Sequence, residues 1–338
     1  MDAVAALNEI AFWLERGRAA TFKVQAFRKA AAAISALSPD EVAERARTGR
    51  LKSMKGIGDR TFAVIRQAVD GQVPDYLADL REKGAQPLAS GGTGIREALR
   101  GDLHSHSEWS DGGSPIELMV DAAGVLGREY LALTDHSPNL TIANGLSAGR
   151  LLDQLDVVES LNSNGNRTRL LTGIEVDILE SGELDQEPYL LDRLDIVVAS
   201  VHSKLRADRK TMTKRMLGGI TDPHTNILGH CTGRLVEGGR GTRPPSEFDA
   251  GEVFAACAEH NVAVEINSRP ERQDPPDALI QLALEAGCLF SIDSDAHAPG
   301  QLDFLQYGAE RAARNGVPAE RIITTWPVEK LLGWASTK

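Results

Sequence analysis

The stretch "GDLHSHSEWSDG", Gly101 to Gly112, places His104 and His106 two residues apart and follows them with Asp111. In extended chain, residues i and i+2 project to the same side, so both imidazoles can reach a single ion. Histidine together with carboxylate is the donor set that borderline divalent metals such as zinc, manganese and iron prefer. Further groups of this kind recur downstream: His136 in "LTDH", Glu175 in "GIEVDI", His202 in "ASVH" and His230 in "NILGH". Asn267 in "VEIN" and the pair Asp295 and His297 in "SDAH" complete the series. Six of the eight histidines occupy such places, with His224 and His260 left over, which points to a metal centre rather than to scattered structural imidazoles.

Each of these groups closes a short, apolar, β-rich run. The runs are "RGDLHSH", "EYLALTDH", "RLLTGIEVDI", "LDIVVASVH", "NILGH", "VAVEIN" and "CLFSIDSDAH". Between most of them lie amphipathic stretches such as "SPIELMVDAAGVLG", "FDAGEVFAACAEHN" and "PPDALIQLALEAG". That alternation predicts an α/β fold of parallel strands with crossover helices, either a barrel or an open sheet. In a barrel the carboxyl ends of all strands converge on one face, where barrel active sites lie.

Ahead of this region the pattern is helical. Apolar residues fall at three and four spacing in "VAALNEIAFWL" and "VQAFRKAAAAISAL", and Ser38 before "PDEVAERAR" is an expected N-cap with Pro39 in the first turn. "KGIGDR" is expected to form a tight turn between helices; it resembles the hairpin of a helix-hairpin-helix motif, whose glycines let backbone N–H groups approach a DNA phosphate without reading sequence, and a plain packing turn is the other reading. The Gly-, Ser- and Pro-rich stretch "GAQPLASGGTG" reads as a linker. The expected organisation is a helical module over 1–84, a linker over 85–98 and an α/β barrel over 99–338.

Length and composition agree with this. A chain of 338 residues suits a barrel plus a small module, and 42% hydrophobic with 25% charged residues describes a folded chain. The net charge of −11 is uneven: residues 1–90 hold 14 Lys and Arg against 11 Asp and Glu, and the remainder 23 against 37. An acidic body repels a polyanion unless bound cations reverse the local field. Cys231, Cys257 and Cys288 are far apart and form no CxxC pair, which suits a reduced compartment. With no signal peptide pattern and no long apolar run, the expected location is cytoplasmic, with no membrane partner.

The set "DLHSHSEWSDG", "LTDHS", "GIEVDI", "ASVHS", "GHCTGR" and "SDAH" resembles the PHP family, named for polymerase and histidinol phosphatase. The resemblance implies a distorted seven-stranded barrel holding up to three divalent metals, with zinc, manganese and iron the candidates. Residue by residue, it implies that His104, His106, Glu175 and Asp295 hold one ion. Glu175 would bridge to a second ion held by His202 and His230, and Asp111, His136 and His297 would hold a third. Metal coordination lowers the pKa of a bound water toward neutrality, so the implied chemistry is phosphoester hydrolysis without a covalent intermediate. Glu175, His202 and Asp295 are the residues on which catalysis is expected to depend. Arg234 and Arg272 are the expected phosphate clamps because a guanidinium fork matches phosphate oxygens. Arg272 falls where the family's arginine is expected, and Arg269 is an addition.

The amino-terminal segments "FKVQAFRKAAAAISAL" and "GRLKSMKGIGDRTFAVIRQAVDG" are similar to the small helix-hairpin-helix domain of family X DNA polymerases, whose bacterial members also carry a PHP domain. The resemblance implies non-specific DNA contact through Lys23, Arg28, Lys29, Lys55, Gly56, Gly58 and Arg60. Only the linker separates this module from the barrel, which leaves no room for a polymerase palm, so no polymerase activity is expected. The lysine of lyase-competent relatives is replaced by Val64, which has no amine. Two substrate classes stay open: DNA ends or gaps, cut as a 3′-to-5′ exonuclease, abasic-site endonuclease or 3′-phosphatase, and a small phosphomonoester of the histidinol phosphate kind. A binding protein with a vestigial site is a third reading, against which the complete ligand set stands.

Overall fold

The computed structural model describes residues 1–163, 165, 167–239 and 241–337. Contacts divide the chain into two compact units, Met1–Pro87 and Leu88–Lys338.

The first unit is all-helical: α1 (Ala3–Arg16), α2 (Thr21–Ser35), α3 (Pro39–Arg47), α4 (Asp59–Val69) and α5 (Asp75–Gly84). Asp2 caps α1 by accepting from the Ala5 N–H at 2.7 Å, and Ser38 caps α3 by accepting from Glu41 N–H at 3.2 Å. Spacing of three and four turns Leu7, Ile10 and Leu14 of α1 onto Ile34 of α2 and Ile65 of α4, forming one buried cluster with Leu51 and Leu77. Val64 is part of that core, 2% exposed. Between α3 and α4 the chain makes a 3-10 turn, Arg50–Ser53, and then the hairpin through Gly56. Gly56 adopts φ +94°, a left-handed conformation that an L side chain resists, and this turn packs against the backbone of Lys29 on α2.

In the second unit seven strands are all parallel and run in sheet order β1 to β7: β1 (Gly101–Asp102), β2 (Tyr130–Leu133), β3 (Arg169–Asp177), β4 (Ile196–Ser200), β5 (Ile227–Leu228), β6 (Ala263–Asn267) and β7 (Phe290–Asp293). Helices follow the strands in alternation, as the sequence pattern implies. The period of two sorts each strand between two faces. Ile174, Val176, Val197, Ala199, Val264, Ile266 and Ile292 pack against the helices. Leu171, Ile196, Val198, Ile227 and Ala263 form a second cluster, completed by Ile323, Trp326 and Leu331 from the carboxyl-terminal segment.

Closure between β7 and β1 uses side chains in place of a ladder. Asp293 accepts from the Leu103 N–H at 2.9 Å, and Asp102 accepts from the Ser294 N–H at 3.1 Å. One further bond, His106 N–H to the Ala296 carbonyl at 2.8 Å, draws the two strand ends together. The result is a nearly closed, distorted barrel.

Two local differences from the sequence expectation matter. β1 ends at Asp102, so the "HSH" run lies beyond the ladder and is held by the Ser105 to Ala296 bridge and by Thr134 Oγ1, which accepts from Ser105 N–H at 3.0 Å. The stretch 85–98 contains α6 (Thr93–Ala98), and Gln306 Oε1 ties it down by accepting from Leu88 N–H at 2.8 Å and Arg96 Nη1 at 2.9 Å. Its small residues allow a close seat against a later helix, so composition alone reads it as slack chain. No helix among the described residues is long and apolar enough to cross a membrane.

Candidate metal centre

Glu175 stands on the long third strand, and the parallel register pairs it with Val198 of β4. Its side chain is 1% exposed and surrounded by imidazoles. Oε1 lies 2.9 Å from His230 Nε2 and 3.2 Å from His202 Nε2. Oε2 lies 3.3 Å from His104 Nε2, 3.6 Å from His106 Nε2 and 2.9 Å from His136 Nδ1. Asp295 Oδ1 is 3.5 Å from His106 Nε2, and Asp111 Oδ1 is 3.4 Å from both His136 Nε2 and His297 Nε2. All nine expected ligands therefore meet at the carboxyl ends of the strands. His224 instead pairs with Asp222 and Asp192, and His260 ends a helix, as incidental histidines would.

These donors fit metal ions. His106, Asp111, His136 and His297 offer atoms that all lie within 4.8 Å of one another, as do His104, His106 and Glu175, and His136, Glu175 and His202. His104 Nε2, both ring nitrogens of His106 and of His202, and Glu175 Oε1 are buried without a hydrogen-bond partner. Buried polar atoms seldom lack partners, and a cluster of them with nitrogen and carboxylate chemistry suits divalent cations.

A supporting layer aims the ligands. His104 Nδ1 meets Glu265 Oε1 at 2.6 Å, which leaves Nε2 as the ligating atom. Asp177 accepts from His202 N–H at 3.0 Å. Asp135 accepts from Ser107 N–H at 2.8 Å, Ser107 Oγ at 2.6 Å, Ser110 Oγ at 2.5 Å and Gln154 Nε2 at 2.7 Å, bracing the loop that carries Asp111. His297 Nδ1 lies 2.9 Å from the Asp295 carbonyl, which orients Nε2 toward Asp111. Sequence reasoning passed over Glu265, Asp135 and Asp177, although an acid inside an apolar run, as in "VAVEIN", is a signal that could have found them.

The charges are mutually adjusted. Burial raises the Glu175 carboxyl, but the imidazoles of His104, His202 and His136 outweigh it and hold the group well below the ordinary range. Burial lowers His136, yet Glu175 and Asp111 carry it up to about 10. His106 is pushed down to about 3 by burial and by His297 and His136.

The arginines divide. A cavity of about 300 Å³ opens over the ligands and is lined by Arg243, Arg269 and Arg272. Arg272 Nε donates to Asp295 Oδ2 at 3.0 Å, and Arg269 Nη1 lies 3.1 Å from His297 Nδ1. Arg234, expected as a clamp, turns away: its guanidinium donates to the carbonyls of Arg272, at 3.1 Å, and of Gln273. Arg243, which was not anticipated, takes a place at the cavity by way of the bridge that pairs Leu235 with Arg243.

In the helical unit, Lys23, Lys29, Lys55, Gly56, Gly58 and Arg60 are exposed. Arg28 is the exception among the expected phosphate contacts. It makes a bidentate pair with Glu15, 2.9 Å at the closest, and donates to Asn8 Oδ1 at 3.1 Å, with the two charged side chains 13% and 4% exposed. Its charge is internally neutralised.

Residues 102–269 match the family model of the PHP domain. This barrel is a PHP domain. Residues 1–73 match the model of a helix-hairpin-helix domain. The chain is 38% identical over 218 residues to the DNA polymerase/3'-5' exonuclease PolX of Bacillus subtilis, a match that takes in 64% of this chain and 37% of that protein. A protein named "Probable phosphatase" from Aeromonas hydrophila is 27% identical over 237 residues, covering 67% of this chain and 89% of its own length. The PHP domain also resembles, at 16% identity and a TM-score of 0.43, the histidinol phosphate phosphatase of Lactococcus lactis, solved with zinc, L-histidinol and phosphate; 71% of this chain and 95% of that one are aligned.

Proposed function

We propose that the protein is a metal-dependent phosphoesterase acting on DNA ends or gaps, with a role in DNA repair. The observation that carries this reading is the union, in one chain, of nine histidine and carboxylate side chains gathered at the mouth of a PHP barrel, seven of them in groups that could hold a metal ion, with a helix-hairpin-helix domain whose Lys55 and Arg60 are exposed. The similarity over 218 residues to a protein named as a DNA polymerase/3'-5' exonuclease supports it.

His104, His106, Glu175 and Asp295 would hold one cation, Glu175 with His202 and His230 a second, and Asp111, His136 and His297 a third; zinc, manganese and iron suit these donors. When bound, such ions lower the pKa of a water toward neutrality and polarise phosphoryl oxygens. Glu175 presents both carboxylate oxygens to different imidazoles, the arrangement a bridging ligand needs. Arg269 and Arg272 stand against Asp295 at the cavity wall and offer guanidinium donors for phosphate oxygens. With the histidines and carboxylates of the cavity held as metal ligands, a water activated by the ions would be the attacking group. Lys23, Lys29, Lys55 and Arg60 would hold the DNA backbone without reading sequence. The reaction is a 3′-to-5′ exonuclease, abasic-site endonuclease or 3′-phosphatase step.

A second reading, hydrolysis of a small phosphomonoester, is favoured by the cavity's volume of about 300 Å³ and by the relatives named as phosphatases. End-labelled gapped DNA and histidinol phosphate, given side by side to the manganese-loaded chain, separate the two. Cleavage of DNA with defined product ends supports the first reading, and hydrolysis of histidinol phosphate alone overturns it.

A further inference from the structure

The segment after the third-metal ligand His136 is not used by the chemistry above. It runs "SPNLTIANG" and makes a short excursion whose neck is closed by the Leu146 N–H bonding to the His136 carbonyl at 2.7 Å. At its tip lies a single 3-10 turn, Thr141–Ala143. Gly145 passes so close to the Ser137 carbonyl oxygen that a Cβ there would sit 1.9 Å away, so the chain folds tightly back on itself.

Polar braces hold this excursion on several sides. Asn139 donates from its backbone N–H to Asp185 at 2.5 Å and from Nδ2 to Asp177 at 2.9 Å. Asn144 Nδ2 donates to the Trp109 carbonyl at 3.2 Å, and Arg150 donates to the carbonyls of Asn144, at 2.7 Å, and of Trp109. The turn is thus fastened to the loop that carries Asp111. Yet the residue displayed at its tip is Ile142, 94% exposed. One exposed isoleucine is unremarkable by itself. This one has company, because the lining of the metal cavity includes Leu140, Ile142, Ala143, Val201 and Leu205 as well as Arg243, Arg269 and Arg272.

A cavity lined by both apolar and cationic side chains suits a phosphoester whose organic part has an apolar face. Its volume of about 300 Å³ is at the lower end for ligand sites and admits one nucleotide rather than a duplex. We propose that the Leu140–Ala143 turn is the nucleoside-binding lip of the metal site. A single terminal nucleotide enters with its base or sugar against Leu140 and Ile142 and its phosphate toward Arg243 and Arg269. This rests on the DNA reading given above and narrows it to one nucleotide at a time.

The test is calorimetric titration of the manganese-loaded full chain with thymidine 5′-monophosphate and with inorganic phosphate, repeated on Ile142→Ser and Ile142→Leu. Ile142 is exposed, so neither change disturbs the core. The nucleotide is expected to bind about tenfold more tightly than phosphate, with Ile142→Ser removing most of that difference and Ile142→Leu retaining it. Equal affinity for the two probes, or equal loss for both in Ile142→Ser, overturns the lip. Cleavage of an end-labelled oligonucleotide by the same preparations keeps the two readings apart. A chain that cuts DNA but whose Ile142→Ser variant binds the nucleotide as before retains the nuclease reading and loses the lip. A chain that cuts no DNA yet shows an Ile142-dependent preference for the nucleotide loses the nuclease reading and retains the lip.

Discussion

Nδ1 of His104 lies 2.6 Å from Oε1 of Glu265, and the other oxygen of the same carboxylate accepts from the His230 backbone N–H at 2.5 Å. One buried acid on β6 therefore braces two candidate ligands, His104 and His230, that follow β1 and β5. Glu265→Gln keeps the shape and removes the charge. It is expected to lower metal affinity about 10- to 100-fold, measured by competition with a chromophoric chelator. Unchanged affinity in a folded variant would contradict the orienting role.

Glu175 is placed between two groups of imidazoles, His202 and His230 on one oxygen and His104, His106 and His136 on the other. Glu175→Ala is expected to reduce bound metal and to cut phosphoester hydrolysis by more than about a hundredfold, beyond the effect of losing a supporting residue. Elemental analysis of protein purified without chelator, alongside the rate, reads both. A variant with full activity would sink the hydrolytic mechanism.

Proton balance gives a pH prediction. Without metal, burial lowers His104, His136 and His202, but Glu175 with Glu265, Asp111 or Asp177 raises all three above the ordinary imidazole value, His136 to about 10. His136 therefore holds a proton at neutral pH and the other two rings are biased toward one, whereas ligation requires all three neutral. Metal uptake is therefore expected to release protons and to tighten as pH rises. Calorimetric titration with manganese in two buffers of different ionisation enthalpy checks this, and identical heats in both would be the contrary result.

The Arg28 pair with Glu15 predicts stability rather than DNA contact. Glu15→Ala leaves a nearly buried guanidinium unpaired and is expected to cost about 3 kcal/mol. Urea unfolding of the full chain, followed by helix content, would show an early transition. A loss confined to DNA affinity, with stability intact, would return Arg28 to the phosphate-binding surface.

Much of the centre was legible because parallel strands place their terminal residues on one face, so a histidine or acid at each run's end had one place to go. The third strand's Glu175 and the i, i+2 pair His104 and His106 are of this kind. What was not legible depends on partners distant in sequence. Arg234 follows a strand as a clamp would, but the carbonyls of Arg272 and Gln273 capture it. Arg243 lies in a Gly-rich stretch with no periodicity, and its bridge to Leu235 and the 2.7 Å bond from its Nε to the Gly233 carbonyl hold it at the cavity. Arg28 sits among apparent surface cations, and the packing of α1 on α2 supplies its acid. The helix in 93–98 is short and weakly patterned, and its partner Gln306 comes from the far end of the chain.

The proposed hold of the helical domain on a DNA backbone is tested most directly by the salt dependence of cleavage. Cleavage of end-labelled gapped DNA by the manganese-loaded full chain would be measured at sub-saturating DNA across a range of salt, for wild type and for Lys55→Ala. The expected result is a steep fall with salt in wild type and, in the variant, weaker cleavage with the log–log slope reduced by about one. A rate indifferent to salt and to Lys55, with a small phosphomonoester hydrolysed equally well, would contradict the account.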